Sequence, residues 1–237
     1  MAIMLGDLTR LDFETSIRDR ILVIPIGSIE QHGPHLPIGT DAFITSALVD
    51  ELIRHRDDKI ILSPPIPISA SDEHGSFQGT LSMGTSLLSA MLKAITNSHH
   101  HHSRVLFVSA HGGNLSAFLE ASQPFWIPRT HVLIEAAANW ELPADALGLW
   151  QPDVHAGRTE TSVMLALRPD LVHLEQASSG YLGPLSQVGN ILASSGIQGI
   201  SATGVLGDPA GANREEGLAI LAALAADLIR TFDQVSS

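Results

Sequence analysis

Short apolar runs alternate with helical patterns of apolar residues along this chain. Three runs predict buried strands, at residues 21–26, 60–62 and 104–110. Elsewhere apolar residues recur every three or four positions, which predicts amphipathic helices. The clearest of these helices carries Leu87, Leu88, Met91, Leu92 and Ile95. This alternation is typical of an α/β fold of three layers, α/β/α, in which helices cover a largely parallel central sheet.

Further elements follow from the same pattern. The other helices are predicted from Thr40 or Asp41, as the cap, to Leu52, at 115–121, at 161–167 and at 214–232. A fourth strand is predicted at 131–138, and a long excursion with little regular structure at 176–210, where Gly and Ser are frequent. No repeat and no long linker interrupts the pattern, so we expect a single domain over residues 1–237.

Composition narrows the class of protein. Hydrophobic residues make up 44% of the 237 residues and charged residues only 16%, which predicts a well-buried core. The net charge is −12 and no basic stripe is present, which argues against a nucleic-acid partner. No apolar run approaches the roughly 20 residues of a membrane span, and the first residues lack the pattern of a secretion signal. We therefore expect a cytoplasmic protein with no membrane partner.

Residues 26–41 concentrate four side chains that bind metals. Glu30, His32, His35 and Asp41 lie within twelve residues, among glycines and prolines that fix the course of the backbone. The chain has no cysteine, so any metal must be held by His and carboxylate ligands, which suit zinc, iron(II) and manganese alike. The alternative is an ordinary polar turn after a strand.

The spacing within this loop favours two metal ions. Glu30 and His32 are separated by one residue, so in an extended segment both point to the same face and each can reach a different ion. Asp41 is suited to bridge them, because a carboxylate has two oxygens and paired ions lie about 3.5–4 Å apart.

Two more clusters supply the remaining ligands. His111 follows a predicted strand and precedes Gly112, Gly113 and Asn114, whose backbone amides open a predicted helix. We expect these last three residues to line the substrate site. The other cluster is residues 155–162. In it, Glu160 is expected to complete the second metal's ligands, and His155 to move a proton during catalysis. The alternative there makes Glu160 a helix-start carboxylate with Arg158 as its surface partner.

Two other polar segments are less specific. Residues 71–80, which include Glu73 and His74, are suited either to line a substrate site or to form a solvated loop. The run His99–His102 resembles a metal site, but four consecutive side chains cannot all point at one ion. We interpret that run as an exposed turn.

Together these clusters resemble the creatininase (creatinine amidohydrolase) family. The resemblance rests on residues 27–37 with Thr40 and Asp41, on residues 111–114, and on residues 160–162. It implies a creatininase-like fold, with Glu30, Asp41 and His111 holding one metal, and His32 and the bridging Asp41 the other. In members that hydrolyse creatinine, a Glu completes the second site at the position of Gly113. An aromatic residue of those members is replaced here, at Gln151.

Three more segments are similar to a peptidase subgroup of that family. They are residues 73–80, 155–162 and 204–209. The subgroup removes a C-terminal Val-Tyr dipeptide from a modified precursor peptide, so the resemblance implies a peptide substrate. It also implies two divalent metal ions per subunit and a closed homo-oligomer, a hexamer or octamer. Two rivals stay open: an enzyme acting on a small cyclic amide or formamide, and a metal-dependent binding protein without catalysis. His35 is left as an outer or substrate-side residue.

Overall fold

In the part of the chain that the structure describes, five strands form a parallel sheet, which is the middle layer. The computed structural model describes residues 2–17, 20–98, 104–129, 132 and 153–237. The strands are β1 (Ile3–Met4), β2 (Ile21–Pro25), β3 (Ile60–Leu62), β4 (Arg104–Val108) and β5 (Phe125–Trp126). Their order in the sheet is β1-β3-β2-β4-β5, and every neighbouring pair is parallel. The predicted class of fold, three α/β/α layers around a largely parallel sheet, is confirmed.

Helices cover both faces of this sheet. They are α1 (Arg10–Ser16), α2 (Thr40–Arg56), α3 (Thr85–Ser98), α4 (Leu115–Ala121), α5 (Arg158–Leu167), α6 (Gly189–Ser195) and α7 (Arg214–Ser236). Alternate strand residues point to opposite faces, so Val23 packs in the core beneath α2, α5 and α7. Leu22 and Ile24 pack in the second core, beneath α1, α3 and α4.

The three predicted strands at 21–26, 60–62 and 104–110 are present, two of them one or two residues shorter than predicted. The strands β1 and β5 were not predicted, because two residues are too few to show a period. The predicted strand at 131–138 lies outside the described residues, apart from residue 132.

Three helix predictions need correction. Helix α2 begins at Thr40 and its N-cap is Gly39, so neither Thr40 nor Asp41 is the cap. Helix α5 begins at Arg158, three residues earlier than predicted, and its N-cap is Gly157. A carboxylate oxygen of Asp153 accepts from the backbone N–H of Thr159 in the first turn, at 2.7 Å. The excursion at 176–210 contains one short helix, α6. No helix in the described ranges is long and apolar enough to cross a membrane.

Candidate metal centre

The candidate site lies beyond the carboxyl ends of β2 and β4, which are neighbours in the sheet. After β2, the backbone N–H of Ile26 still pairs with the carbonyl of Val108 at 2.8 Å. The loop that follows is closed by a hydrogen bond from the N–H of Glu30 to the carbonyl of Ile38 at 2.9 Å. Because parallel strands end at the same edge, this loop and the segment after β4 meet there.

One group of possible ligands contains Glu30, Asp41 and His111. The Nδ1 atom of His111 lies 3.2 Å from Glu30 Oε1 and 3.4 Å from Asp41 Oδ2. The other nitrogen of that ring, Nε2, donates to the backbone carbonyl of Ala70 at 2.7 Å. This outer hydrogen bond fixes the ring and leaves its Nδ1 atom directed at the two carboxylates.

A second group contains His32, His155 and Glu160. His32 Nδ1 donates to the backbone carbonyl of Glu30 at 3.1 Å, so its Nε2 atom is left for the site. That Nε2 atom lies 3.6 Å from Asp41 Oδ2 and 3.8 Å from Glu160 Oε2. The same oxygen of Asp41 therefore faces His32 on one side and His111 on the other.

Glu160 reaches the site from the first turn of α5. Its Oε2 atom accepts from the backbone N–H of Ala156 at 2.6 Å, which holds the carboxylate in place. The alternative that Arg158 is its surface partner is wrong. Arg158 Nε instead donates to Glu216 Oε2 at 2.9 Å, and Glu216 belongs to α7.

The site concentrates charge in a buried space. Burial disfavours the charged form of His32, but the carboxylates of Asp41, Glu160 and Glu30 outweigh it and raise its pKa to about 10. The pKa of His111 is raised well above its usual value in the same way, against its burial, by Glu30 and Asp41. Burial raises the pKa of Glu160 to about 7. A divalent cation would replace these imidazole protons as the partner of the carboxylates.

The pattern of unsatisfied atoms fits a cation. Both side-chain oxygens of Glu30 and the Nε2 atom of His32 are buried and have no hydrogen-bond partner. Buried polar atoms are nearly always paired, and an unpaired carboxylate in a protein interior is costly. The unpaired oxygens belong to the first ligand group, through Glu30, and the unpaired nitrogen belongs to the second, through His32. Both groups therefore fit a bound metal better than a purely structural role.

Two more imidazoles, those of His74 and His155, lie close to the carboxylate of Glu30. His74 Nε2 lies 3.3 Å and His155 Nδ1 3.8 Å from Glu30 Oε1, and with Glu30 they form a third possible ligand group. Burial lowers the pKa of His74 to about 4 and that of His155 well below its usual value, so both rings are neutral near pH 7. The sequence placed His74 only as a substrate-lining residue.

A cavity of about 470 Å³ opens onto these ligands. Of the residues predicted to line a substrate site, Glu73, His74, Gly112 and Gly113 line this cavity. The far wall is apolar and contains Ile127, Val154, Leu185, Leu192, Ile197 and Leu206. His35 and Asn114 are not among the lining residues: both are fully buried, hydrogen-bonded to Thr161 and to Ser109 respectively.

Gly113 occupies a tight position beside the first group. A Cβ atom added there would lie 2.4 Å from His111 Nε2 and 2.3 Å from Glu73 Oε1. A Glu at this position would have no room, so the carboxylate for the second group comes instead from α5, as Glu160. Gln151 and the run His99–His102 lie outside the described residues, so the expectations for them stay predictions.

Known proteins are similar in sequence to most of this chain. The profile of the family Creatininase (creatinine amidohydrolase) matches residues 6–232. A mycofactocin precursor peptide peptidase from Mycobacterium tuberculosis is 38% identical over 88% of this chain and 83% of its own. One from Mycolicibacterium smegmatis is 34% identical over 85% and 80%. A creatinine amidohydrolase from Pseudomonas putida is 24% identical over 74% and 75%.

Solved structures show the same fold. A crystal structure of creatinine amidohydrolase superposes with a TM-score of 0.77 at 21% identity, covering 98% of this chain and 97% of that one. A creatininase described as the Mn form gives 0.75 at 20% identity, covering 99% and 98%. A mutant described as Zn-Zn type gives 0.73 at 20% identity, covering 99% and 98%.

Proposed function

The chain belongs to the creatininase family, and from that premise we propose that it is a metal-dependent amide hydrolase acting on the modified mycofactocin precursor peptide. Its reaction would remove the C-terminal Val-Tyr dipeptide. The observation that carries the proposal is the meeting of two carboxylate–histidine groups beside an open cavity, which Asp41, His111 and Glu160 line. Buried atoms of Glu30 and His32 behind these residues have no hydrogen-bond partner.

Two divalent cations, zinc, iron(II) or manganese, fit the ligand set. Glu30, Asp41 and His111 would hold one, and His32 with Glu160 and the bridging Asp41 would hold the other. When bound, such a pair lowers the pKa of a water molecule and polarises a carbonyl oxygen. The carboxylates would fix the positions of the ions, and Ser28, whose hydroxyl donates to Asp41, holds that side chain in place.

His155 is proposed as the proton carrier. Its Nε2–H donates to the backbone carbonyl of Gln31 at 2.8 Å, so Nδ1 carries the lone pair and faces the site. A neutral imidazole in this orientation can take a proton from the attacking water and give it to the leaving amine. The backbone amides of Gly112 and Gly113, at the cavity wall, are suited to stabilise a developing oxyanion.

A peptide fits this site better than creatinine. The relatives with the higher identity, 34% and 38%, are precursor peptide peptidases, whereas the creatinine amidohydrolase is 24% identical. A cavity of about 470 Å³ with an apolar wall is also larger and less polar than a small cyclic amide requires. An enzyme acting on such an amide or on a formamide is the second candidate.

Mass spectrometry separates the candidates directly. We would incubate metal-loaded protein with the modified precursor, with the unmodified precursor and with creatinine. The proposal predicts release of the C-terminal dipeptide from the modified precursor and no creatine from creatinine. Hydrolysis of creatinine with an intact precursor would favour the second candidate. Tight binding of the precursor without cleavage would favour a binding protein instead.

The proposed assembly is a closed homo-oligomer, a hexamer or octamer, by resemblance to the family. Light scattering coupled to size-exclusion chromatography would test it, because a 25.2 kDa chain gives well-separated masses for these states. A monomer at micromolar concentration would contradict this part of the proposal.

A further inference from the structure

Gln31 lies buried between two imidazoles of the site and contacts both. Its side-chain oxygen accepts from the backbone N–H of Gly33 at 2.8 Å, and its side-chain nitrogen donates to the carbonyl of Gly204 at 3.1 Å. A flipped amide would set its NH₂ against an N–H and its oxygen against a carbonyl. The two backbone groups therefore fix which way the amide points.

The fixed amide determines where His74 carries its proton. The Gln31 NH₂ group lies 2.8 Å from His74 Nδ1, which must accept the second amide proton. A neutral imidazole has one N–H, so in His74 it is on Nε2. That nitrogen is the one that lies 3.3 Å from Glu30 Oε1, and His74 lines the cavity.

The backbone of the same residue fixes His155. The carbonyl of Gln31 needs a donor, and His155 Nε2 lies 2.8 Å from it. The side-chain nitrogen of Gln31 is also 3.1 Å from His155 Nε2, but its two protons are already used by Gly204 and His74. His155 Nε2 is therefore the protonated nitrogen, and the lone pair on Nδ1 is directed at the site.

We propose that Gln31 is a positioning residue that makes His74 a hydrogen-bond donor and His155 an acceptor at the reaction centre. Both rings carry their proton on Nε2, but they are turned opposite ways, so one shows the site an N–H and the other a lone pair. His74 then presents an N–H that can donate to a substrate oxygen, and it does not bind metal. The group of Glu30, His74 and His155 is thereby excluded as a metal site. This inference rests on the metal centre proposed above.

Nitrogen NMR of protein with isotope-labelled histidine rings tests the assignment. The signals of His74 are those that disappear in His74→Asn. In wild-type protein, we expect His74 Nε2 to stay protonated before and after zinc is added. In Gln31→Glu, a carboxylate can only accept, so the proton of His74 should move to Nδ1. The signals of buried His35, which does not contact Gln31, should stay unchanged in that variant.

Metal content gives a second readout if Gln31→Glu does not fold. His74→Asn should bind as many zinc ions per chain as the wild type, whereas the matched variant His111→Asn should lose at least one. An Nε2 atom of His74 that loses its proton on zinc binding, or a lost ion in His74→Asn, would overturn the inference. Neither readout depends on peptide cleavage, so an inactive protein that binds metal would contradict the proposed function and leave this inference standing.

Discussion

At the residue scale, Gly113 keeps open the space in which His111 makes its outer hydrogen bond. An added Cβ would lie 2.9 Å from the Ala70 carbonyl, the acceptor of His111 Nε2. Backbone atoms cannot move away cheaply, so the imidazole would have to turn. Gly112, one residue earlier, has nothing within 4 Å of an added Cβ. The two glycines therefore differ in what they allow, although the sequence presents them as a pair.

Gly113→Ala should weaken metal binding by about 10–100-fold, the usual cost of disturbing an outer partner of a ligand. It should also lower the free energy of unfolding by about 1–3 kcal/mol through overpacking. Gly112→Ala is the matched control and should leave both quantities unchanged. Isothermal titration with zinc and urea unfolding of both variants measure the difference. Equal metal affinities in the two variants would contradict the role of the space at Gly113.

Asp153 is a partly buried carboxylate whose effect on stability depends on pH. Burial raises its pKa from 3.8 to about 6, although hydrogen bonds from Thr159 favour the charged form. The folded state therefore holds this proton to higher pH than the unfolded state does. Its contribution to stability is full below about pH 4 and is lost as the pH rises to about 6 and above.

Asp153→Asn cannot ionise and keeps an oxygen for the Thr159 N–H. We compare the free energy of unfolding of the variant with that of the wild type at each pH. This difference should favour the variant by about 1 kcal/mol more at pH 8 than at pH 5. The control, Asp50→Asn, changes an exposed carboxylate on α2 and should show no such gain. Urea unfolding of metal-free protein at the two pH values checks this. A gain at pH 5 that exceeds the gain at pH 8 would reverse the sign and exclude the explanation.

At the scale of elements, α7 holds α5 and with it Glu160. The two helices cross with their backbones in contact at Gly217, where an added Cβ would lie 1.9 Å from the carbonyl oxygen of Ser162. Beside this contact, buried Glu216 accepts from Arg158 and from the Ser162 hydroxyl. Helix α7 therefore sets the position of α5, which carries Glu160, the carboxylate proposed for the second metal.

Gly217→Ala should push α7 away from α5 and destabilise the fold by about 3 kcal/mol, at the upper end of overpacking costs. It should also reduce zinc binding, because Glu160 moves with α5. Gly189→Ala is the control: that glycine is also in a helix, α6, but nothing lies within 4 Å of its added Cβ. Thermal unfolding and zinc titration measure both effects. A Gly217→Ala protein as stable as the control would show that the helices can separate at no cost.

At the scale of the whole molecule, the elements that position the site were predictable. The strands β2 and β4 are apolar runs flanked by polar loops, and several of the proposed metal ligands follow them directly. What the sequence could not provide were contacts between distant segments. Three features depend on how distant segments pack together. They are the approach of His74 to Glu30, the pairing of Arg158 with Glu216, and the burial of His35 and Asn114. Gln31 was missed because a glutamine between two ligands carries no periodic or charge signal of its own.

The most direct test of the account is whether cleavage of the modified precursor requires the metal centre. Protein stripped with a chelator should release no C-terminal dipeptide, as read by mass spectrometry, and added zinc or manganese should restore release. Glu30→Gln, which neutralises the carboxylate of the first group, should stay folded but gain no activity from the same addition. The exposed variant Glu14→Gln should behave as the wild type. Full cleavage by the stripped protein, or by Glu30→Gln, would contradict the account.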